Sequence, residues 1–302
     1  MKIFLDYKNT PSISKAGYLK LKETFSEYVW TDNLDESYGA NIIVVMPSFC
    51  TNETLDRYPK LKWIQLLTAG FDKIDLDYLK ARNIKLSNAS DVFSIAIAED
   101  IISKILYFNK NMKFYDNNKN KKTWEPQLVT HEISNSVVGI LGAGSIGIET
   151  AKRLKAFDTK IIGYRRSLVK TPYIDEIYND QAGFEKILKL SDYLIIALPL
   201  SESTYHIINQ ETLKLMKKDA LLINVGRGKL INETDLITAL KNNELRGAAL
   251  DVTEVEPLPK TSGLWELNNV FISPHTSNLS PNTEARLVER LKENLNNELR
   301  GK

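Results

Sequence analysis

Three charged residues in the C-terminal half of the chain could together bind a small anion and move a proton: Arg227, Glu256 and His275. Each stands just beyond a short apolar run, at 221–225, 247–252 and 270–273, in the stretches Gly226-Arg227-Gly228, 253–257 (TEVEP) and Pro274-His275-Thr276. Such runs, each bounded by loop residues, read as strands of an open α/β sheet, whose ligands lie beyond the carboxyl ends of the strands. An arginine, a carboxylate and a histidine therefore converge on one sheet edge. Arginine stays charged and can grip a planar carboxylate with two bonds. Histidine titrates near neutrality and so suits proton transfer, and a carboxylate in reach would fix its tautomer and favour its proton-donating form. The two other histidines, His131 and His206, lie in polar surroundings and read as structural.

A second constellation lies upstream. The apolar run 136–141 leads directly into Gly142-Ala143-Gly144-Ser145-Ile146-Gly147, and a helical stretch follows over 148–157. In that setting G-x-G-x-x-G serves a dinucleotide: the first glycine makes the tight turn, the second admits the pyrophosphate and the third lets helix and strand pack closely. Amides at the helix N-terminus then hold the negative charge. A binder of unphosphorylated NAD usually places Asp or Glu about 20 residues on, at the end of the next strand. Here strand 159–164 ends in Arg165, Arg166 and Ser167, which can pair with a 2′-phosphate. The residues favour NADP(H), with NAD(H) possible. Hydride arriving from such a cofactor at a carbonyl carbon would leave charge on oxygen, which a proton donor and a fixed cation both stabilise.

The elements that must position these groups follow from alternating short apolar runs and amphipathic stretches, the pattern of parallel sheets wrapped by helices. Further strands are expected at 2–6, 42–46, 62–67, 84–87 and 193–198, and helices near 12–26 and 75–82. An apolar helical stretch over 96–117 (Ile97, Ile101, Ile102, Ile105, Leu106, Phe108) and the polar segment 116–123 mark a crossing between two domains. The last helix, 282–299, carries Leu287, Leu291 and Leu295 four apart and is expected to return to the first domain. The expected domains are residues 1–98, completed by 279–302, and residues 99–278.

Bulk properties narrow the function. The 302 residues carry 40 basic and 38 acidic side chains, a net charge of +2, so no basic footprint for nucleic acid or anionic lipid arises. No run of about 18 apolar residues exists to span a membrane. Cys50 is the single cysteine, which excludes an internal disulfide and a cysteine-based metal cluster. With an N-terminus that reads as a strand, not a signal peptide, the expected location is the cytoplasm.

The chain resembles the D-isomer-specific 2-hydroxyacid dehydrogenases over essentially its whole length. The stretches that carry the likeness are 141–147, 224–231 (NVGRGKLI), 250–258 (LDVTEVEPL), 273–276 (SPHT) and 68–72 (TAGFD) with Ile74 and Asp75. The resemblance implies two Rossmann-like α/β domains, a doubly wound parallel-sheet dinucleotide-binding domain and a smaller flavodoxin-like substrate domain, in a homodimer. It implies Arg227 as substrate binder, His275 as acid-base residue with Glu256 as its partner, Asp251 as a contact to the nicotinamide amide, and Ala69 and Gly70 as substrate-carboxylate amides, with no metal. The activity implied is NAD(P)H-dependent interconversion of a small 2-keto and 2-hydroxy acid. Asp100 stands where many members carry histidine, and Ser277 and Asn278 stand where small glycine-rich residues are common. A phosphoglycerate dehydrogenase would need more basic groups than the Lys73 seen near 46–52 and 68–75. A formate dehydrogenase carries glutamine as the partner of its histidine, against Glu256 here. A dinucleotide-sensing interaction protein is the non-enzymatic alternative, which the intact Arg227, Glu256 and His275 weigh against.

Overall fold

The computed structural model describes residues 1–128 and 131–301, and the chain parts into two compact units, Met1–Phe93 with Ser280–Lys302, and Ser94–Leu279. The first contact unit thus ends five residues before the expected boundary at 98, because Ser94 already begins the long helix that packs into the second unit.

The first unit holds a five-stranded parallel sheet of β1 (Lys2–Leu5), β2 (Val29–Thr31), β3 (Ile42–Val45), β4 (Trp63–Leu66) and β5 (Lys85–Ser87) in the order β2-β1-β3-β4-β5. That order is the flavodoxin-like doubly wound arrangement. The helices of this unit are α1 (Lys15–Thr24), α2 (Leu34–Ser37), α3 (Asn52–Asp56), α4 (Leu76–Ala81) and, from the chain's end, α11 (Thr283–Arg300). α11 buries Leu287, Val288, Leu291 and Leu295, and Asn294 donates to Gln65 Oε1 at 2.8 Å, which ties it to β4. β2 is absent from the sequence reading; at three residues and on the sheet's edge it leaves no alternation to read.

The second unit holds seven parallel strands: β6 (Val137–Leu141), β7 (Lys160–Tyr164), β8 (Glu176–Tyr178), β9 (Tyr193–Ile196), β10 (Leu221–Asn224), β11 (Gly247–Leu250) and β12 (Val270–Ile272). Their order, β12-β11-β10-β9-β6-β7-β8, reverses between β6 and β9, which makes the end of β6 the topological switch point where such sheets take their ligands. The central strands β9, β10 and β11 are buried at every position, as strands covered on both faces must be. The helices are α5 (Ser94–Asn109), α6 (Met112–Lys121), α7 (Ser145–Leu154), α8 (Gln181–Leu190), α9 (Gln210–Leu213) and α10 (Glu233–Lys241). The stretch 96–117 was expected to be one helix; it is two, separated at Asn111, whose φ of 50° a continuous helix cannot contain. No helix among the described residues is long and apolar enough to cross a membrane.

Candidate active site

The glycine-rich turn sits at the switch point. Gly142 has φ +104°, and a side chain there would meet the backbone of Ala197 at 2.5 Å, so both conformation and space demand glycine. A Cβ on Gly147 would lie 2.6 Å from the carbonyl oxygen of Gly142, so the third glycine is what lets α7 start this close to β6. Gly144, the N-cap of α7, differs: a Cβ there would meet nothing within 4 Å. Open space therefore lies beside the free amides of a ten-residue helix, and no side chain caps them. These features fit the diphosphate of a dinucleotide. At the end of β7, Arg165 Nη1 donates to Thr171 Oγ1 at 3.0 Å, while Arg166 and Ser167 are exposed.

The three strands β10, β11 and β12 are paired in register, Asn224 beside Leu250 and Leu250 beside Ile272. Arg227, Asp251 and His275 thus follow the ends of adjacent strands. Asn224, fully buried at the end of β10, shapes the arginine loop: its Nδ2 donates to Arg227 O at 2.9 Å and its Oδ1 accepts from Gly226 N at 3.0 Å. Arg227 donates through Nη1 to Gly226 O at 2.8 Å. The loop backs onto the segment that carries Glu256, since a Cβ on Gly228 would stand 1.9 Å from the carbonyl carbon and oxygen of Thr253.

His275 Nδ1 lies 2.9 Å from Glu256 Oε2. An ionised carboxylate only accepts, so with Glu256 in that form the contact calls for a hydrogen on Nδ1 and leaves Nε2 outside the pair. The other oxygen of Glu256 accepts from Thr253 N at 3.2 Å. His275 adopts φ +54°, a conformation uncommon outside glycine, and its amide donates to the carbonyls of Asp251 and Ser273 at 2.8 and 3.0 Å. The turn after it is gathered by the Asp251 carboxylate, which accepts from Ser273 Oγ at 2.6 Å, Thr276 N at 3.0 Å and Ser277 N at 3.1 Å. Burial alone would push the Asp251 carboxyl up; the bonds from Ser273 and Ser277, together with Lys104, outweigh it and hold the group below its ordinary value.

Several residues that build this region were given no role in the sequence reading. Glu233, at the start of α10, and Glu254 each accept the other's backbone amide at 3.2 Å. His206, read from sequence as structural, sets Nε2 2.7 Å from Glu254 Oε1, and its amide donates to Lys229 O at 2.9 Å. Lys104 was passed over inside an apolar helix, although a lysine within the stripe of Ile97, Ile101 and Ile105 is itself a signal. The turn at Ala69 and Gly70 belongs to the first unit, where Ala69 O accepts from Asn88 Nδ2 at 2.8 Å and Gly70 O from Thr68 Oγ1 at 3.0 Å. No group of three or more possible metal ligands exists among the described residues.

Residues 102–277 match the family described as "D-isomer specific 2-hydroxyacid dehydrogenase, NAD binding domain". A glyoxylate reductase of Thermofilum pendens is 36% identical over 257 residues, covering 82% of this chain and 75% of the relative. Among solved structures, an acyclic imino acid reductase (Bsp5) in complex with NADPH and D-Arg superposes with a TM-score of 0.84 at 27% identity, over 100% of this chain and 98% of that one. A D-lactate dehydrogenase from Aquifex aeolicus, complexed with NAD and lactic acid, gives 0.79 at 25% identity, over 100% and 96%.

Proposed function

The chain belongs to the family of D-isomer-specific 2-hydroxyacid dehydrogenases, NAD(P)-dependent oxidoreductases, and from that premise we propose that it reduces a small 2-keto acid at C2 with NADPH. The observation that carries the reading is the His275 Nδ1 to Glu256 Oε2 contact of 2.9 Å at the end of β12, in the same sheet as the glycine turn.

When bound, the nicotinamide supplies the hydride; the rest is the work of side chains. Arg227 grips the substrate carboxylate and draws charge from the C2 carbonyl. His275, protonated on both nitrogens, gives the Nε2 proton to the C2 oxygen, and Glu256 holds the ring by Nδ1. Asp251 offers an acceptor to the nicotinamide amide, and the backbone amides of Ala69 and Gly70 are assigned to the substrate carboxylate. Residues Gly142, Gly144, Ser145, Ile146 and Gly147 take the diphosphate. Arg165, Arg166 and Ser167 pair with the 2′-phosphate, and the absence of a carboxylate there supports NADPH over NADH. Relatives named for glyoxylate and lactate support a substrate with a small side chain. A cytoplasmic homodimer completes the proposal.

The test is cofactor oxidation with glyoxylate, hydroxypyruvate, pyruvate and bulkier 2-keto acids, in the wild type and in His275→Ala. The variant is expected to lose about 10²- to 10⁴-fold in kcat with cofactor affinity nearly intact. Near-normal turnover in it, or no oxidation with any keto acid in the wild type, overturns the proposal.

A further inference from the structure

On the buried face of α5, among Ala96, Ile97, Ala98, Ile101 and Ile105, lies a lysine only 1% exposed. Taking an ammonium out of water costs several kcal/mol unless anions replace the solvent. Two do so for Lys104. Its Nζ makes a close ion pair with Asp100 Oδ2, one helical turn earlier, and lies 3.8 Å from Asp251 Oδ1. Asp251 is itself only 2% exposed. The charged groups facing its carboxylate are these two of α5; from the turn come the Ser273 hydroxyl and the Thr276 and Ser277 amides, while the His275 ring is directed to Glu256.

All three of those turn groups donate to Asp251. A proton on Oδ2 would end its bond from the Ser277 amide and weaken Oδ1 as the acceptor of the Ser273 hydroxyl and the Thr276 and Ser277 amides, so the turn is held most tightly while Asp251 is an anion. Lys104 favours the anion, and Asp100 draws the same ammonium away. Burial pushes the Asp100 carboxyl up, and Lys104 offsets that only in part.

We propose that Lys104 is a positioning residue for the reaction: as the buried counter-cation of Asp251 it fixes the carboxylate that holds the 273–277 turn, and so the presentation of His275. Asp100 tunes that grip by competing for the same ammonium. The inference rests on His275 as the proton donor, and its test separates the two.

The experiment measures kcat against pH for NADPH-dependent keto-acid reduction, at saturating substrates, in the wild type, Lys104→Met, Asp100→Asn and the double variant Lys104→Met with Asp100→Leu. Melting temperature is followed over the same pH range. Lys104→Met is expected to lower kcat roughly ten- to a hundredfold, with little change in keto-acid KM, because the turn is loosened while Arg227 is not. Its acid limb should move up, as Asp251 takes a proton earlier. Asp100→Asn leaves Lys104 wholly to Asp251 and should move the limb down. The double variant replaces the ion pair with apolar groups, a change that often preserves stability, so it guards against simple unfolding. It should melt near the wild type yet keep the raised acid limb. A folded double variant with an unmoved limb, or Asp100→Asn shifting the same way as Lys104→Met, overturns the role of Lys104 while His275→Ala still abolishes turnover. Near-normal turnover in His275→Ala removes the donor and the positioning role with it.

Discussion

Gly228→Ala is expected to damage catalysis out of proportion to the single carbon it adds. The new Cβ would stand 1.9 Å from the carbonyl carbon and oxygen of Thr253 and 2.5 Å from the amide nitrogen of Glu254, all of them backbone atoms. Ordinary contact between such atoms begins near 3.4 Å, so the arginine loop and the glutamate segment must part by about 1.5 Å. Neither side yields easily. Glu254 is cross-linked to Glu233 by the reciprocal 3.2 Å bonds, and the arginine loop is pinned by Asn224. Thr253 N also donates to Glu256, so a displaced Thr253 carries the partner of His275 with it. Overpacking of this kind costs about 1–3 kcal/mol, which for a domain of this size is a fall of about 2–12 °C in melting temperature. A misplacement of about 1 Å among reacting groups costs on the order of 10² in rate, and this one is larger. kcat/KM for keto-acid reduction and a melting curve measure both. Gly263→Ala is the control, because the nearest atoms its Cβ would meet are those of the Ile237 side chain at 3.5 and 3.6 Å and Lys241 Nζ at 3.9 Å, all ordinary contacts. A Gly228→Ala enzyme with kcat/KM within about threefold of wild type would refute the claim that the backing of these two loops sets the alignment of Arg227 and Glu256.

Gly144→Ala should leave the melting temperature almost unchanged, since its Cβ meets no protein atom, yet raise the KM for NADPH; an unchanged KM would mean that the cofactor does not use that space. Arg165→Ala with Arg166→Ala should weaken NADPH far more than NADH, and equal losses in the two catalytic efficiencies would make the pair general surface charge. Glu176 is held down to about 2 by hydrogen bonds from Lys160, Tyr178 and Lys186. Its lowered value means that it adds stability above its ordinary 4.5, and this is lost as pH falls from there toward about 2. Its side chain is partly exposed, so Glu176→Gln should flatten the stability profile only modestly across that window, and less in high salt; an unchanged acid-denaturation curve at low salt would discount the cluster.

The strands that carry chemistry were legible because they are buried on both faces and therefore read as continuous apolar runs. β9, β10 and β11 begin where the runs at 193, 221 and 247 begin, and Arg227 and His275 were found by walking past strand ends. β2 (VWT) and β8 (EIY) were not legible: both are three-residue edge strands, as β12 is, but they lack the unbroken apolar run of its VFI. The break between α5 and α6 was hidden because Asn111 is a neutral residue in a helical pattern, and only its tolerance of positive φ hints at the turn.

Lys104 was illegible for a different reason, and it bears on how this site is built. Periodicity treats a charge in an apolar stripe as noise, yet burying an ammonium is tolerable only where carboxylates already wait for it. Asp100 is four residues away on the same helix and visible in sequence, but Asp251 lies 147 positions downstream and meets Lys104 only because α5 packs in the same unit as β11. Arg227, Asp251 and His275 could be read because each follows a strand end by a short interval. What these residues are bonded to is set by tertiary packing: Lys104 and the turn amides on the Asp251 carboxylate, Glu233 on Glu254, and His206 against Glu254. His275 keeps a backbone conformation with φ +54° because its own amide is bonded to Asp251 and Ser273 while the amides after it are bonded to the Asp251 carboxylate. With that carboxylate anchored, the turn presents the His275 ring to Glu256 at 2.9 Å.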